Sequence, residues 1–214
     1  MERRSSAFYQ RRHRDRLREQ GLVKKELWVL PEYADELAAV ERRMRQPREA
    51  MARAAAPGPA VRTKEGGAMP DKTLWTATAL CDAMMASDPV RLGAISVELV
   101  EGAEPGLYLT MHDYGDLPLY MAVVGRQIVV EAMLWPVSQV RDPVGFNEEL
   151  LRTHKLFPLS TLGIETIDGE AVYIMFGALS SASSLADVLF EAETLADNVI
   201  RATEAYEWHL REAA

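Results

Sequence analysis

The sequence predicts an α+β protein: an antiparallel sheet of about six strands packed with helices in the order α-β4-α-β2-α, preceded by a small basic helix-strand-helix segment and a linker. Three observations predict it. Between Ala94 and Leu134, four apolar runs are separated by the turn signals Glu104-Pro105-Gly106, Tyr114-Gly115-Asp116 and Gly125-Arg126. Strands joined this closely pair antiparallel. Two more runs meet at Asp168-Gly169, a dipeptide suited to a two-residue hairpin because both positions tolerate positive φ. Stretches with a 3.6-residue apolar period flank these runs, and such helices bury their stripe against one face of a sheet.

The basic segment, residues 1–45, opens with a helix over 5–20. Ser5 or Ser6 would cap it, and Gly21 would close it in a left-handed conformation that costs glycine little. Leu27-Trp28-Val29-Leu30 makes Val23–Leu30 a short strand candidate. Pro31 suits the first turn of a second helix, whose stripe is Tyr33, Leu37, Val40 and Met44. Residues 46–72 contain Ala54-Ala55-Ala56-Pro57-Gly58-Pro59 and Gly66-Gly67 with few large apolar side chains, and read as a flexible linker.

The acidic domain, residues 73–214, begins with a helix from Thr73 to about Ser87 carrying Leu74, Ala77, Leu80, Cys81 and Met84 on one face. The four strands expected next are Ala94–Glu101, Leu107–Asp113, Leu119–Val124 and Gln127–Leu134. In the first, Ile95, Val97 and Leu99 alternate with Ser96, Glu98 and Val100, the pattern of a half-buried strand. A helix over Pro143–His154 carries Phe146, Leu150 and Leu151. Strands Leu162–Thr166 and Ala171–Phe176 follow. The last helix starts at a capping-box-like Ser184-Leu185-Ala186-Asp187 and keeps its stripe from Leu185 to Ile200. The third and fourth strands are apolar on both faces, which predicts a second covered face and hence a homodimer or a protein partner.

Charge divides the chain in the same place. Residues 1–50 hold 13 Lys and Arg against 9 Asp and Glu; residues 51–214 hold 11 against 23. Cys81 is the only cysteine, which excludes an intrachain disulfide and fits a reducing compartment. No apolar run follows the arginine-rich start, and none approaches the roughly 20 residues of a membrane span. The expectation is a cytoplasmic protein with no transmembrane segment.

Two resemblances add to this reading. Arg4-Ser5-Ser6-Ala7-Phe8-Tyr9-Gln10-Arg11-Arg12-His13-Arg14, with Leu17-Arg18-Glu19-Gln20-Gly21-Leu22-Val23-Lys24-Lys25-Glu26-Leu27-Trp28-Val29, resembles the YjfI family of uncharacterised bacterial proteins. So does the tail from Gly163-Ile164-Glu165-Thr166 through Phe176-Gly177-Ala178-Leu179-Ser180 to Glu193-Thr194-Leu195-Ala196-Asp197-Asn198. The resemblance implies a C-terminal domain with the fold of type III secretion chaperones. It also implies genes placed beside a phage-shock-protein A-like membrane-remodelling protein, and no assigned catalytic residues. The N-terminal run is also similar to the start of some MazE-like antitoxins, which bind DNA.

Two sets of residues are candidates for binding. Arg11, Arg14 and Arg18 share one helical face, Arg12 and Arg16 form a second row, and Lys24 and Lys25 follow. Such a cluster would contact nucleic-acid phosphates through residues 3–25, an anionic membrane or an acidic protein, or would simply be solvated. A two-residue turn at Gly125-Arg126 would place Tyr120, Ala122, Val129 and Met133 together as a dimer or partner surface.

Catalysis and cofactors are not expected. His13, His112, His154 and His209 lack metal-ligand spacing, and the serines near Ser180 form no nucleophile elbow. His112-Asp113-Tyr114-Gly115-Asp116 reads as turn chemistry, not as a calcium loop. The chain therefore reads as a chaperone-like protein-binding or adaptor protein, with a DNA-binding regulator as the alternative.

Overall fold

Six strands form a single antiparallel sheet in the order β1-β2-β3-β4-β6-β5. The structure, a computed structural model, describes residues 5–24, 37, 40, 44, 74–102 and 104–211. It divides into two compact units, Met1–Arg16 with Asp71–Ala214, and Leu17–Pro70. The first 12 described residues, 5–16, thus share a unit with the sheet. The expected linker over 46–72 lies outside the described residues.

Helix α1 spans Ser6–Glu19. Gly21 ends it at φ +77°. Its N–H donates to the Arg18 carbonyl and that of Leu22 to the Leu17 carbonyl. These are the two bonds of a Schellman motif, which satisfy the last helical carbonyls. In the second unit, Leu37, Val40 and Met44, three members of the predicted stripe, have helical backbone, and Met44 is exposed. Of the strand expected at 23–30, residues 23 and 24 carry no regular structure and the rest lie outside the described residues.

Helix α2, Ala77–Met85, starts later than Thr73, because the Thr76 side chain caps it by accepting from the Ala79 N–H. A single turn, α3, follows at Asp88–Arg91. Strands β1 (Ile95–Val100) and β2 (Gly106–Met111) lead through a 3₁₀ turn at His112–Tyr114 into β3 (Leu117–Val124) and β4 (Gln127–Pro136). Helix α4 (Pro143–Thr153) carries the chain to the edge strand β5 (Thr161–Ile167), and β6 (Glu170–Ser180) returns beside β4. At the β5–β6 turn Asp168 and Gly169 both have positive φ, as that dipeptide requires in a type I′ hairpin. β6 runs four residues past its predicted end. Gly177, Ala178, Leu179 and Ser180 are held in the sheet by pairing with Val130, Val129, Ile128 and Gln127, a tertiary effect. Pro118 falls inside β3, but the β3–β4 ladder begins only at Tyr120, so its missing N–H costs no bond on that side.

Helix α5, Leu185–Ala205, has a complete capping box between Ser184 and Asp187. It packs on β3, β4 and β6, while α2 packs on β1 and β2. The core between helices and sheet contains Leu80, Met84, Leu109, Leu119, Met121, Val130, Trp135, Phe146, Met175, Leu195 and Val199. The strand residues that face it are the alternate set, Ile95, Leu107, Leu109, Met111, Leu117, Leu119, Met121, Ile128, Val130 and Ala132.

Candidate partner-binding face

The other alternate set defines a second face. Register places Glu98 of β1, Tyr108 of β2, Tyr120 of β3, Glu131 of β4 and Phe176 of β6 in one row across the sheet. Ala122 and Val129 are direct partners beside that row. Met133 lies two residues beyond Glu131, opposite Ile174. The structure therefore brings Tyr120, Ala122, Val129 and Met133 onto one face, opposite the core formed with α2 and α5. The turn responsible has Gly125 at φ +59°, and Val124 pairs with Gln127 across it.

Exposure is uneven over this face. Val172 and Ile174 are buried, whereas Val100, Tyr120 and Val124 are exposed at 50%, 48% and 55%. The exposed part is a shallow depression of about 390 Å³ lined by Val100, Glu104, Tyr120, Ala122, Val129 and Glu131, among others. Tyr108 and Tyr120 meet edge to face at 5.2 Å, which gives the row an aromatic centre. Burial pushes the Tyr108 hydroxyl pKa up, with the neighbouring Tyr120, Tyr9 and Glu98 adding to it. Burial also raises the pKa of the Glu131 carboxyl, and the charge of Glu165 raises it further.

The basic helix has an acidic setting. Arg12 forms an ion pair with Asp116, and Arg16 reaches the same carboxylate at 3.7 Å. Arg14 lies 3.3 Å from Glu204 of α5. His112 also bonds Asp116, at 2.7 Å, and its other nitrogen lies 2.7 Å from the Ser96 hydroxyl. Burial acts to raise the Asp116 pKa, but the His112 hydrogen bond and the charges of Arg12, His112 and Arg16 outweigh it and leave the carboxyl below its ordinary value. Arg11 and Arg18 are exposed, Lys24 follows the helix, and Lys25 lies outside the described residues. Of the basic residues on this helix, Arg12 and Arg16 converge on Asp116, and Arg14 turns to Glu204.

The stripe by which α1 docks is polar. Ser6, Gln10 and His13 are its buried residues. The Thr203 hydroxyl donates to Ser6 Oγ at 2.9 Å, and His13 Nδ1 lies 2.7 Å from the Asp113 carbonyl oxygen while its ring stacks on Tyr114. An apolar period along the sequence does not reveal this stripe. Its signal was the spacing of Ser6, Gln10 and His13 at i, i+4 and i+7.

A second depression, of about 340 Å³, is lined by Arg141, Asp142, Gly145, Phe146, Glu149, Trp208 and His209. Three of its polar side chains, Asp142, Glu149 and His209, make contacts within the fold. Asp142 caps α4 through the Gly145 N–H, and Glu149 lies 2.9 Å from His209 Nε2. Among the described residues no helix is long and apolar enough to cross a membrane.

Residues 74–210 match the model of DUF2170, an uncharacterized protein family conserved in bacteria. The chain belongs to that family. It is 43% identical over 108 residues to the uncharacterized protein YjfI of Escherichia coli K12, covering 50% of this chain and 81% of the relative. The YjfI protein of Escherichia coli O157:H7 gives the same values. The resemblance to the YjfI family is therefore borne out. Among solved structures, the family member is similar to Escherichia coli YbjN at a TM-score of 0.45 and 13% identity, over 63% of this chain and 96% of that one. It is also similar to an uncharacterized protein from Methanothermobacter thermautotrophicus, at a TM-score of 0.40 and 12% identity, over 60% of this chain and 94% of that one. Likenesses at this level say nothing of function.

Proposed function

We propose that this member of the family is a non-catalytic, chaperone-like adaptor that binds another protein through the exposed part of its sheet, centred on β2, β3 and β4. One observation carries the reading. Tyr120, Val124 and Val100 stand exposed beside Ala122 and Val129 on the face turned away from α2 and α5. Contiguous apolar and aromatic surface of this kind is costly to leave in water and marks interaction sites. The partner in this reading belongs to a phage-shock-protein A-like membrane-stress system, in line with the family resemblance. The setting is the cytoplasm, in keeping with the single buried cysteine, Cys81.

A homodimer through the same face is the weaker version of this reading. Glu131 would be pressed toward the acidic surface of its own copy, and like charges in an interface oppose association. The DNA-binding alternative draws on the basic helix. There Arg12, Arg14 and Arg16 would have to leave Asp116 and Glu204 before reaching phosphates.

Site-specific photocrosslinking in cells tests the adaptor reading. A photoreactive residue replacing Ala122 is expected to give one discrete protein adduct, and the same residue replacing the exposed Leu151 of α4 none. No adduct at Ala122, or adducts of equal yield at both positions, would overturn it.

A further inference from the structure

We infer that the partner segment received by this face is a cationic amphipathic helix, whose apolar side lies over Tyr120, Ala122 and Val129 and whose Lys or Arg side chains reach Glu131 and Glu104. The inference rests on the adaptor reading and specifies its ligand.

Charge is the first argument. The six strands contain four carboxylates, Glu98, Glu131, Glu165 and Glu170, and no Lys or Arg. Alternation places all four on the face away from α2 and α5. Glu104, in the loop before β2, adds a fifth acid at the rim of the depression. Glu131 sits in the middle of the face between Tyr120 and Phe176, a carboxylate set among aromatic rings. A cation brought there would gain from a poorly hydrated site and from the faces of Tyr120 and Phe176. A polyanion would be repelled, so nucleic acid and an anionic membrane surface are the wrong partners for this face.

Backbone satisfaction is the second argument. β2, β3 and β4 each have a strand on both sides, so their main-chain groups are engaged within the sheet. The face offers side chains only. An extended peptide laid across it would leave its own N–H and C=O groups unpaired on the buried side, whereas a helix brings its backbone bonds with it. A helix about 10 Å wide spans two strand spacings, which matches the Tyr108–Tyr120–Glu131 row.

The test uses the full chain and two synthetic helices of roughly 18 residues, one of Leu and Lys and one of Leu and Glu in the same amphipathic pattern. Calorimetry should detect the Lys peptide and not the Glu peptide. Because the chain is acidic overall, location is checked with two double variants of equal net charge. Glu104→Gln with Glu131→Gln should weaken binding about tenfold, whereas Glu148→Gln with Glu207→Gln, on α4 and the C-terminal turn, should change it less than about twofold. Absence of Lys-peptide binding, equal binding of the Glu peptide, or equal loss in the two double variants would each overturn the inference. A failure here accompanied by a discrete protein adduct at Ala122 would remove the cationic-helix ligand and leave the adaptor reading standing.

Discussion

Gly115 lies directly under the carbonyl of Tyr9: a Cβ built on the glycine would stand 2.5 Å from that oxygen and 2.9 Å from the His13 nitrogen. The same glycine has φ +77°. It ends the 3₁₀ turn that carries Asp113 and Tyr114, the residues that receive His13. Backbone conformation and the close approach of α1 therefore both demand glycine. Gly115→Ala is expected to cost on the order of 2 kcal/mol. Urea denaturation should show the lower midpoint, and limited proteolysis should cut within α1 earlier than in the parent.

Asp116 gathers Arg12, Arg16 and His112. Its folded pKa lies below the ordinary 3.8, so its stabilisation is complete above the unfolded value and is lost as pH falls through the lower folded value. Asp116→Asn should be less stable than the parent at pH 7. The gap should close as pH drops below 3.8. Thermal melts across that range, with hydrogen exchange of the α1 amides, measure both effects.

Glu131 has the opposite sign. Its folded pKa is raised above 4.5, so the charged form is disfavoured in the fold. That cost is present above the folded pKa and disappears as pH falls below the unfolded one. Glu131→Gln should melt higher than the parent at pH 7 and converge with it below pH 4.5. A variant that folds more firmly and binds the cationic helix less well would separate the role of this carboxylate in recognition from any role in folding.

Ser184 accepts from the Asp187 N–H at 3.2 Å, and the Ser184 N–H donates to the Asp187 carboxylate at 3.0 Å. Removing the hydroxyl leaves the first turn of α5, a helix of 21 residues, without the acceptor that caps it. Ser184→Ala should lower stability by about 1 kcal/mol, read as a shift in urea midpoint with unchanged slope.

Much of this was present in the chain itself. The alternation of Ile95, Val97 and Leu99, the Asp168-Gly169 and Gly125-Arg126 turns, and the Ser184 capping box are local signals. Local sterics and hydrogen bonding act over a few residues, so the strands, their antiparallel pairing and the last helix were legible from sequence. The shared face of Tyr120, Ala122, Val129 and Met133 follows from the same two-residue period once the turn length is known.

Tertiary structure alone decided the rest. The extension of β6 to Ser180 depends on a ladder with β4, which lies more than 40 residues earlier in the chain. The pairing of Arg12 and Arg16 with Asp116 joins groups about 100 residues apart in sequence, and charge patterning along one helix does not reveal which acids will face it. The raised pKa of Glu131 comes from burial on a sheet face near Glu165 of another strand. Burial and charge proximity are properties of space. Sequence determined which residues could share a face; packing determined that α2 and α5 cover one face of the sheet and that the rings and carboxylates of Tyr120 and Glu131 stand on the other.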